Sequence, residues 1–318
     1  MSHTFDDQTH GADITRLFPE QATDTRSHPS RPKRGDLAAS TADALAAAGA
    51  ATLICTGHCK SEIQHVIDHI SRKYKKVNMV FVTADTSSLA SFHEAGRTIK
   101  KMGLQIDGFI GFPSVMAVPW EMTGDGHESH FQRNYLCYFL LVNILLDDMV
   151  HGSRVVLVTS CVRTEAPAPT WVDVRFSNGE DYHCLEGYSQ SMLAMILFAK
   201  SLSKMCGDRS IAAFSANPGN TKTNVQTYIS MDQMESWLER KRIEGEEIPV
   251  SLQQTPKSLA QGSATILRGL LDPDLQEESG AFLNHCQALK LPHLDFPAGE
   301  ESAQALWRRS QEFLGAFL

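Results

Sequence analysis

The chain has 318 residues, 42% of them hydrophobic, which is enough to bury the core of one large α/β domain or two small ones. The net charge of −8 at pH 7 argues against a nucleic-acid or anionic-membrane partner. The sequence contains no run of about 18 apolar residues, so we expect no membrane-spanning helix. The polar, acidic start does not resemble a secretory signal, and the seven scattered cysteines form no CxxC pair. We therefore expect a cytoplasmic protein with reduced thiols and no metal.

The first part of the chain is expected to be an irregular arm, because residues 1–34 are rich in Ser, Thr, Asp, Pro and Arg and show little periodicity. From Asp36 the pattern changes. The alanine-rich stretch DLAASTADALAAAGA predicts a helix that ends at Gly49. We take residues 35–318 as one domain that follows the arm.

Short apolar runs then alternate with segments of helical periodicity. Continuous apolar strands that alternate with helices are typical of a parallel sheet covered on both faces. The fold class is therefore α/β, a Rossmann-like doubly wound parallel sheet in a single domain. A charged helical segment falls within 226–256, which we interpret as a flap on the substrate side. The predicted strands are 51–55, 77–85, 106–112, 153–160, 210–219 and 279–284, and the predicted helices are 61–74, 88–102, 126–150, 188–206, 231–249 and 301–314.

Ligands of open parallel sheets bind outside the carboxyl ends of the strands, so the residues that follow each strand are the site candidates. Tyr188 begins a helix after a long loop and can face the same crevice. A Ser or Thr at a strand end also caps helices and turns, and that alternative stays open for each one. The candidate segments are 56–59, 85–88, 111–114, 160–163 and 218–223.

Five motifs in a fixed order carry a family resemblance: ADTSSLASF, TGDGHESHFQRNYLCYFLLVNILL, SRVVLVTSC, GYSQSM and ANPGNTKT. Together they resemble the short-chain dehydrogenase/reductase family, in its retinol-dehydrogenase-like and WW-domain-oxidoreductase-like branch, over roughly residues 36–316. The resemblance implies that Asn134, Ser160 and Tyr188 stand at the family's catalytic asparagine, serine and tyrosine. It also implies a cofactor site, vestigial in this chain, at Asp85, Gly111, Pro218, Gly219 and Thr223.

The tyrosine motif departs from the family pattern, in which a lysine follows the tyrosine by four positions. Met192 stands at that position here. The family's lysine holds the nicotinamide ribose and lowers the pKa of the tyrosine through its charge, whereas a thioether carries no charge. We therefore expect Tyr188 to stay a neutral phenol at pH 7.

Two further departures lie on the cofactor side. The family opens with an apolar strand and a TGxxxGxG loop whose glycines let the backbone approach a pyrophosphate. The equivalent stretch here is RPKRGDLA, in which only Gly35 remains, and we expect it to be out of register. Pro32 lacks an N–H and Asp36 repels phosphate. We therefore predict that the first strand and glycine loop are altered or missing.

The fourth strand ends in Phe112 and Pro113 where the family has Asn-Asn-Ala-Gly, and the arginine that often follows the second strand is absent.

Because these losses all fall on the cofactor side, we predict an enzyme that has left redox chemistry and uses no NAD(P)H. It would catalyse a cyclisation, isomerisation, dehydration or pericyclic step on a hydrophobic, carbonyl-containing intermediate of secondary metabolism. Tyr188 and Ser160 would hydrogen-bond the carbonyl. His183 and Glu186 are the base candidates, with an exposed loop pair as the alternative. The expected pocket walls are Phe112, Met116, Trp120, Trp171 and Met192, and ordinary core packing is the alternative for each.

Two other functions stay open. One is an NADP-dependent short-chain dehydrogenase/reductase with a divergent cofactor site, and the other is a non-catalytic binding pseudoenzyme. In each case the expected partner is a small molecule. The resemblance also implies a homodimer through the helices around 127–150 and 188–206.

Overall fold

The computed structural model describes residues 4–23, 25–29, 32–33, 35–160, 171–223, 229–244, 255–291 and 297–318. The strands are β1 (Arg26–Pro29), β2 (Thr52–Gly57), β3 (Asn78–Thr83), β4 (Ile106–Gly111), β5 (Met149–Val158), β6 (Ala212–Asn217), β7 (Phe282–Asn284) and β8 (Gln287–Leu289). The helices are α1 (Gly11–Leu17), α2 (Pro19–Ala22), α3 (Leu37–Ala47), α4 (Lys60–Lys73), α5 (Leu89–Lys101), α6 (Cys137–Leu145), α7 (Cys184–Met205), α8 (Met231–Glu244), α9 (Leu259–Leu271) and α10 (Pro297–Leu314).

The strands form one sheet in the order β3-β2-β1-β4-β5-β6-β7-β8. Neighbouring strands run parallel except for the last pair, β7 and β8, which is antiparallel. The chain reverses its direction of winding at β1, so helices cover both faces of the sheet. This arrangement confirms the predicted Rossmann-like α/β fold.

Of the two predicted alternatives, a first strand that is altered or one that is missing, the structure shows an altered strand: β1 is present with the sequence RSHP. Strand β1 pairs with β2 on one side and with β4 on the other, at the centre of the sheet. Its sequence, RSHP, gives no apolar signal, yet Ser27 and His28 are fully buried. A central strand is stabilised by ladder hydrogen bonds on both edges, which do not depend on apolar side chains.

The N-terminal arm is also more regular than expected, because residues 11–22 form the short helices α1 and α2. Helix α1 packs closely against α9: a Cβ on Gly11 would lie 2.5 Å from the Ser263 hydroxyl oxygen. Ile14 is fully buried at this contact face. Elements of seven and four residues are too short to show the helical periodicity that predicts longer helices.

Two hydrophobic cores cover the sheet, one on the side of α5, α6, α7 and α10 and the other on the side of α1, α3 and α9. The predicted helix 126–150 is shorter than expected and begins with a π-helical turn, Phe131–Leu136. Helix α10 packs on α6 and α7, where the Trp307 ring lies 4.7 Å from Phe139 and 5.9 Å from Phe198. A homodimer through α6 and α7 would have to displace α10.

Strand β1 carries a buried histidine whose ring nitrogens have no hydrogen-bond partner. The His28 ring stacks on Phe109 at 4.9 Å, and burial lowers its pKa from 6.5 to about 4. The unfolded chain therefore binds more protons than the folded protein between these two pH values, and stability falls as pH drops through that window. The loss amounts to roughly 3 kcal/mol once the pH is below both pKa values.

We expect His28→Leu to remove most of this acid sensitivity and to raise stability at neutral pH, because two unpaired buried nitrogens disappear. Urea denaturation between pH 4 and 8 measures both effects. His65→Leu on the exposed side of α4 is the control and should leave the pH dependence unchanged. An unaltered pH profile in His28→Leu would show that His28 is not the titrating group.

Candidate active site

Asn134 braces the loop that follows β4. It lies fully buried in the π-helical turn, and its carbonyl oxygen accepts the backbone N–H groups of Ser114 at 2.8 Å and Val115 at 3.1 Å. Its amide nitrogen donates to the Val115 carbonyl at 2.9 Å and to the Ser191 hydroxyl at 3.0 Å. A π-turn inside a helix often marks a functional position. Asn134 therefore fixes the carboxyl end of β4 against α7.

Helix α7 presents Tyr188 in its first turns, and two contacts tie this part of the helix to the site. The Ser191 hydroxyl, held by Asn134, donates to the Tyr188 carbonyl at 2.7 Å. The Thr159 hydroxyl donates to the Met192 carbonyl at 2.9 Å, which joins α7 to the end of β5. Ser160 follows directly and is partly exposed. The structure thus brings together the elements that carry Asn134, Ser160 and Tyr188.

A buried carboxylate–histidine pair lies beside Tyr188. Glu128 and His130 are both fully buried, with Glu128 Oε1 2.9 Å from His130 Nδ1. His130 Nε2 accepts the Val118 backbone N–H at 3.4 Å, so Nδ1 carries the proton and donates to Glu128. The His130 and Tyr188 rings meet edge to face, with centroids 6.2 Å apart. The pair therefore fixes the orientation of a ring that packs on Tyr188.

Tyr182 closes this network from the loop before α7. Its hydroxyl donates to the Val118 carbonyl at 2.7 Å and lies 3.1 Å from His130 Nδ1. Burial, followed by the charge of Glu128, raises the Tyr182 pKa, so this phenol stays protonated. Any side chain at Gly187 would strike the Tyr182 ring, since a Cβ there would lie 2.7 Å from it. Only glycine permits this close approach.

A second buried ion pair joins α8 to the start of α7. Lys241 Nζ lies 2.8 Å from Glu186 Oε1, and the Trp237 indole nitrogen donates to the same oxygen at 3.0 Å. Lys241 and Trp237 are 5% and 2% exposed, so this contact is shielded from solvent. Glu186 is two residues before Tyr188 in the chain. Its carboxylate is committed to α8, and Glu186 is therefore not a free base.

His183 also has a structural role. It is the N-cap of α7, where its Nδ1 accepts the Leu185 backbone N–H at 3.3 Å. Burial, together with the positive charges of Arg240 and Lys241, lowers the pKa of His183. The ring therefore stays neutral at neutral pH and satisfies a backbone donor at the helix terminus.

Three of the five expected pocket walls are buried side chains. Phe112 belongs to the core on the α3–α9 side, and Met192 is 1% exposed. Trp171 is buried in the core on the side of α5, α6, α7 and α10, and its indole nitrogen donates to the Ser302 hydroxyl of α10 at 2.8 Å. Phe112 and Trp171 thus make the core contacts that were the alternative to lining the crevice, and their role as pocket walls stays a prediction. Large apolar side chains at strand and loop ends pack into whichever core lies nearest.

Of the other two predicted walls, Met116 lies near α8 and Trp120 lies on a loop. Met116 packs in a small apolar cluster with Ala117, Leu185 and Trp237. Trp120 donates to the Arg175 carbonyl at 3.2 Å and covers Gly179, which ties two loops together. Residues 161–170, which include part of the predicted segment 160–163, lie outside the described residues, as do 226–228 and 245–254 of the predicted flap.

Asp85 lies at the end of β3, where the resemblance implies an adenine site. Burial alone would raise its pKa, but hydrogen bonds from Ser87 and the adjacent His58 imidazole outweigh burial and hold the pKa below its usual value. The Asp85 carboxylate lies 3.2 Å from His58 Nδ1 and keeps 31% of its side chain exposed. An ionised, accessible carboxylate at this strand end can accept hydrogen bonds from a ligand.

The loop after β1 has one feature of a phosphate loop and one that opposes it. Gly35 adopts φ +77°, a conformation that favours glycine. Asp36 caps α3, and its carboxylate accepts the backbone N–H groups of Ala39 at 2.9 Å and Lys33 at 2.7 Å. Residues 30, 31 and 34 lie outside the described residues.

The remaining cofactor-side positions lie at the same edge of the sheet. Gly111 is tightly enclosed, since a Cβ there would lie 3.3 Å from both Leu157 and Tyr138. The loop after β6 is held by the Asn217 side chain, which accepts the Gly219 N–H at 3.1 Å. Pro218 and Thr223 are partly exposed in this loop. In the part of the chain that is described, no three His, Cys, Asp or Glu side chains are placed to hold a metal ion, and no helix is long and apolar enough to span a membrane.

Comparison with known proteins identifies the class. A family model described as short chain dehydrogenase matches residues 34–173. Human polyprenol dehydrogenase is 28% identical over 286 residues, covering 87% of this chain and 81% of the human protein. Human WW domain-containing oxidoreductase is 25% identical over 262 residues, and this chain spans only 58% of its length. The chain is therefore similar to the short-chain dehydrogenase/reductase family.

A solved structure gives the same fold. A short chain dehydrogenase from Burkholderia cenocepacia J2315, in complex with NADP, superposes with a TM-score of 0.60 at 19% identity, over 83% of this chain and 96% of that one. The prediction of a non-redox cyclase or isomerase that needs no nicotinamide cofactor is contradicted by these findings. The relatives are named as dehydrogenases and oxidoreductases, and the solved neighbour holds NADP.

Proposed function

We propose that the protein is an NADP(H)-dependent oxidoreductase that interconverts an alcohol and a carbonyl on a hydrophobic substrate. The observation that carries the proposal is a pair of hydrogen bonds, from Asn134 to the Ser191 hydroxyl and from that hydroxyl to the Tyr188 carbonyl. They hold Tyr188 at the carboxyl edge of a sheet with the short-chain dehydrogenase fold. Substrates and cofactors of such sheets bind at this edge. The names of the relatives and the NADP of the solved neighbour support the same function.

The residues present fit the adenosine half of the cofactor. Asp85 offers an ionised and accessible carboxylate, with His58 beside it. Lys33 supplies a positive charge near the loop after β1, although it pairs with Glu62 at 2.7 Å. The Asp36 carboxylate already occupies the N-terminus of α3 as its cap. The cofactor phosphates would therefore be bound by Lys33 and the loop more than by the N-terminus of α3.

The nicotinamide would donate or accept the hydride when the cofactor is bound. Tyr188 then donates a proton or hydrogen bond to the substrate oxygen, and the Ser160 hydroxyl donates a second hydrogen bond to the same oxygen. The Glu128–His130 pair fixes the ring that packs on Tyr188. Met192 adds no positive charge, so the phenol acts as a proton donor to a forming alkoxide, which is the reduction direction.

The substrate class follows from the apolar cluster under α8. Met116, Ala117, Leu185 and Trp237 pack together there, and Met234 and Leu238 of α8 extend the cluster. An alcohol or carbonyl at the end of a long apolar chain would pack against the partly buried members of this cluster, Met116, Met234 and Leu238. The name of the human relative, polyprenol dehydrogenase, indicates the same kind of substrate. Farnesal and farnesol are therefore suitable probes.

Calorimetric titration with NADP(H) tests the cofactor half of the proposal. We expect micromolar binding, and we expect Asp85→Asn to weaken it about tenfold because one charge-assisted hydrogen bond is lost. Asp43→Asn on α3 makes the same chemical change at an exposed ion pair with His69 and should leave the affinity unchanged. The absence of binding by NADP(H) and NAD(H) at millimolar concentration would refute the proposal.

A further inference from the structure

A cavity of about 430 Å³ lies at the edge of the sheet opposite the candidate active site. It opens at the amino ends of β1, β4 and β5, and Leu270 and Leu271 of α9 form an apolar wall. The dinucleotide and substrate of this fold class bind at the other edge, so this cavity does not belong to the proposed catalytic crevice.

A bulge in β5 shapes the cavity. Ile106 of β4 pairs with Met149, but Gly108 pairs with Arg154, so two steps along β4 correspond to five along β5. The extra residues leave the ladder, and Gly152 accommodates the bend at φ +82°. The bulge brings residues 150–154 to the cavity wall. Bulges of this kind re-aim side chains next to binding sites.

The bulge places a buried arginine at the cavity. Arg154 is 7% exposed, and its Nη1 is buried without a hydrogen-bond partner. No described carboxylate lies within ion-pair distance of it. The Arg154 guanidinium lies over the Phe214 ring in a cation–π contact, with its central carbon 5.6 Å from the ring centroid. Burial lowers the pKa of Arg154, while the more distant charge of Asp272 opposes this effect.

Two of the carboxylates that lie near Arg154 are paired with other arginines, and a third, Glu20, lines the cavity but is exposed to solvent. Asp107 accepts from Arg26 Nε at 2.9 Å and from Arg26 Nη2 at 3.3 Å. Asp272 accepts from Arg268 Nε at 2.9 Å. Each of these pairs is neutral as a unit, and Arg154 forms no ion pair with any carboxylate in the described part of the chain. A buried charge without a partner costs several kcal/mol.

We propose that this cavity is a binding site for a small oxyanion, with Arg154 as its charged ligand and Ser153 as a hydroxyl donor. Ser153 Oγ is buried without a hydrogen-bond partner, and Ser153 lines the same cavity. A guanidinium and a hydroxyl are typical ligands of phosphate. The cavity is larger than an inorganic phosphate, so a phosphate ester with a compact organic body also fits.

Thermal denaturation with inorganic phosphate tests the site, with chloride at equal ionic strength as the reference. We expect phosphate to raise the Tm of the wild-type protein, because binding to the folded state stabilises it. Arg154→Met should raise the Tm without phosphate, because it removes an unpaired buried charge, and should abolish the response to phosphate. Ser153→Ala should weaken phosphate binding about threefold to tenfold while the protein stays folded.

Arg97→Met is the matched control, because Arg97 is exposed and pairs with Glu94 on α5. It should retain the full response to phosphate. A parallel titration with glycerol 3-phosphate distinguishes a free ion from an ester: tighter binding of the ester assigns the site to a phosphorylated metabolite. A full response to phosphate in Arg154→Met, or no response in the wild type, would overturn the proposal.

Discussion

Replacing Tyr188 with phenylalanine is expected to lower the rate of NADPH-dependent carbonyl reduction by about 10²- to 10⁴-fold, the range that general acid catalysis contributes. The substitution removes only the phenolic oxygen. The ring stays in place against His130, so the fold and the affinity for NADP(H) should change little. The measurement is single-turnover reduction of farnesal by NADPH.

Tyr74→Phe makes the same chemical change at the end of α4, far along the chain from the site residues, and should leave the rate unchanged. A Tyr188→Phe variant with wild-type turnover would show that Tyr188 is not the proton donor. Equal losses in both variants would point to a general effect on the fold.

The pH dependence of Tyr188 chemistry follows from Met192. A phenol keeps its proton at neutral pH unless a nearby cation stabilises the phenolate, and position 192 carries no cation. We therefore expect reduction to be faster than oxidation at neutral pH and oxidation of farnesol to accelerate as the pH becomes alkaline. Initial rates in both directions over this pH range check the prediction. A pH-independent oxidation rate would contradict it.

The second large effect is expected from Lys241→Met. The variant removes the Lys241 cation from the buried Glu186 carboxylate, and loss of one partner of a buried ion pair costs about 3–5 kcal/mol. Because the pair joins α8 to α7, we expect α8 to detach locally. The KM for farnesal should then rise more than kcat falls, since α8 carries part of the apolar cluster against which we propose that the substrate binds.

Combining Lys241→Met with Glu186→Gln isolates the interaction. Glutamine has no net charge, so the double variant should regain much of the stability that the single variant loses. Urea denaturation of the four proteins gives the coupling free energy. Additive effects, with no recovery in the double variant, would mean that the pair does not hold α8 in place.

Motif order predicted the fold correctly, because alternation of buried strands and helices is a global pattern that tolerates local errors. Strand β1 escaped detection since its RSHP sequence lacks apolar residues, and ladder hydrogen bonds to both neighbours hold it in the sheet. Helices α1 and α2 are too short to show periodicity. The stabilising contacts of α1 come from α9, about 250 residues later in the chain.

The candidate site was predicted only in part. Asn134, Ser160 and Tyr188 lie on elements that meet, as their motifs imply. The contacts that organise them escaped prediction: His130 lies inside a quoted motif but looks like a helix residue, and Lys241 reaches Glu186 across 55 residues of sequence. The destination of an apolar side chain such as Phe112 or Trp171 depends on which core is nearest, and a local pattern does not contain that information.

Transfer of deuterium from NADPH labelled at the nicotinamide ring tests the central claim most directly. We predict that farnesal incubated with the protein and labelled NADPH yields farnesol that carries deuterium at its alcohol carbon, and that Tyr188→Phe forms this product far more slowly. Bound NADPH that transfers no label to farnesal or to a panel of other apolar aldehydes and ketones would contradict an oxidoreductase function for this crevice.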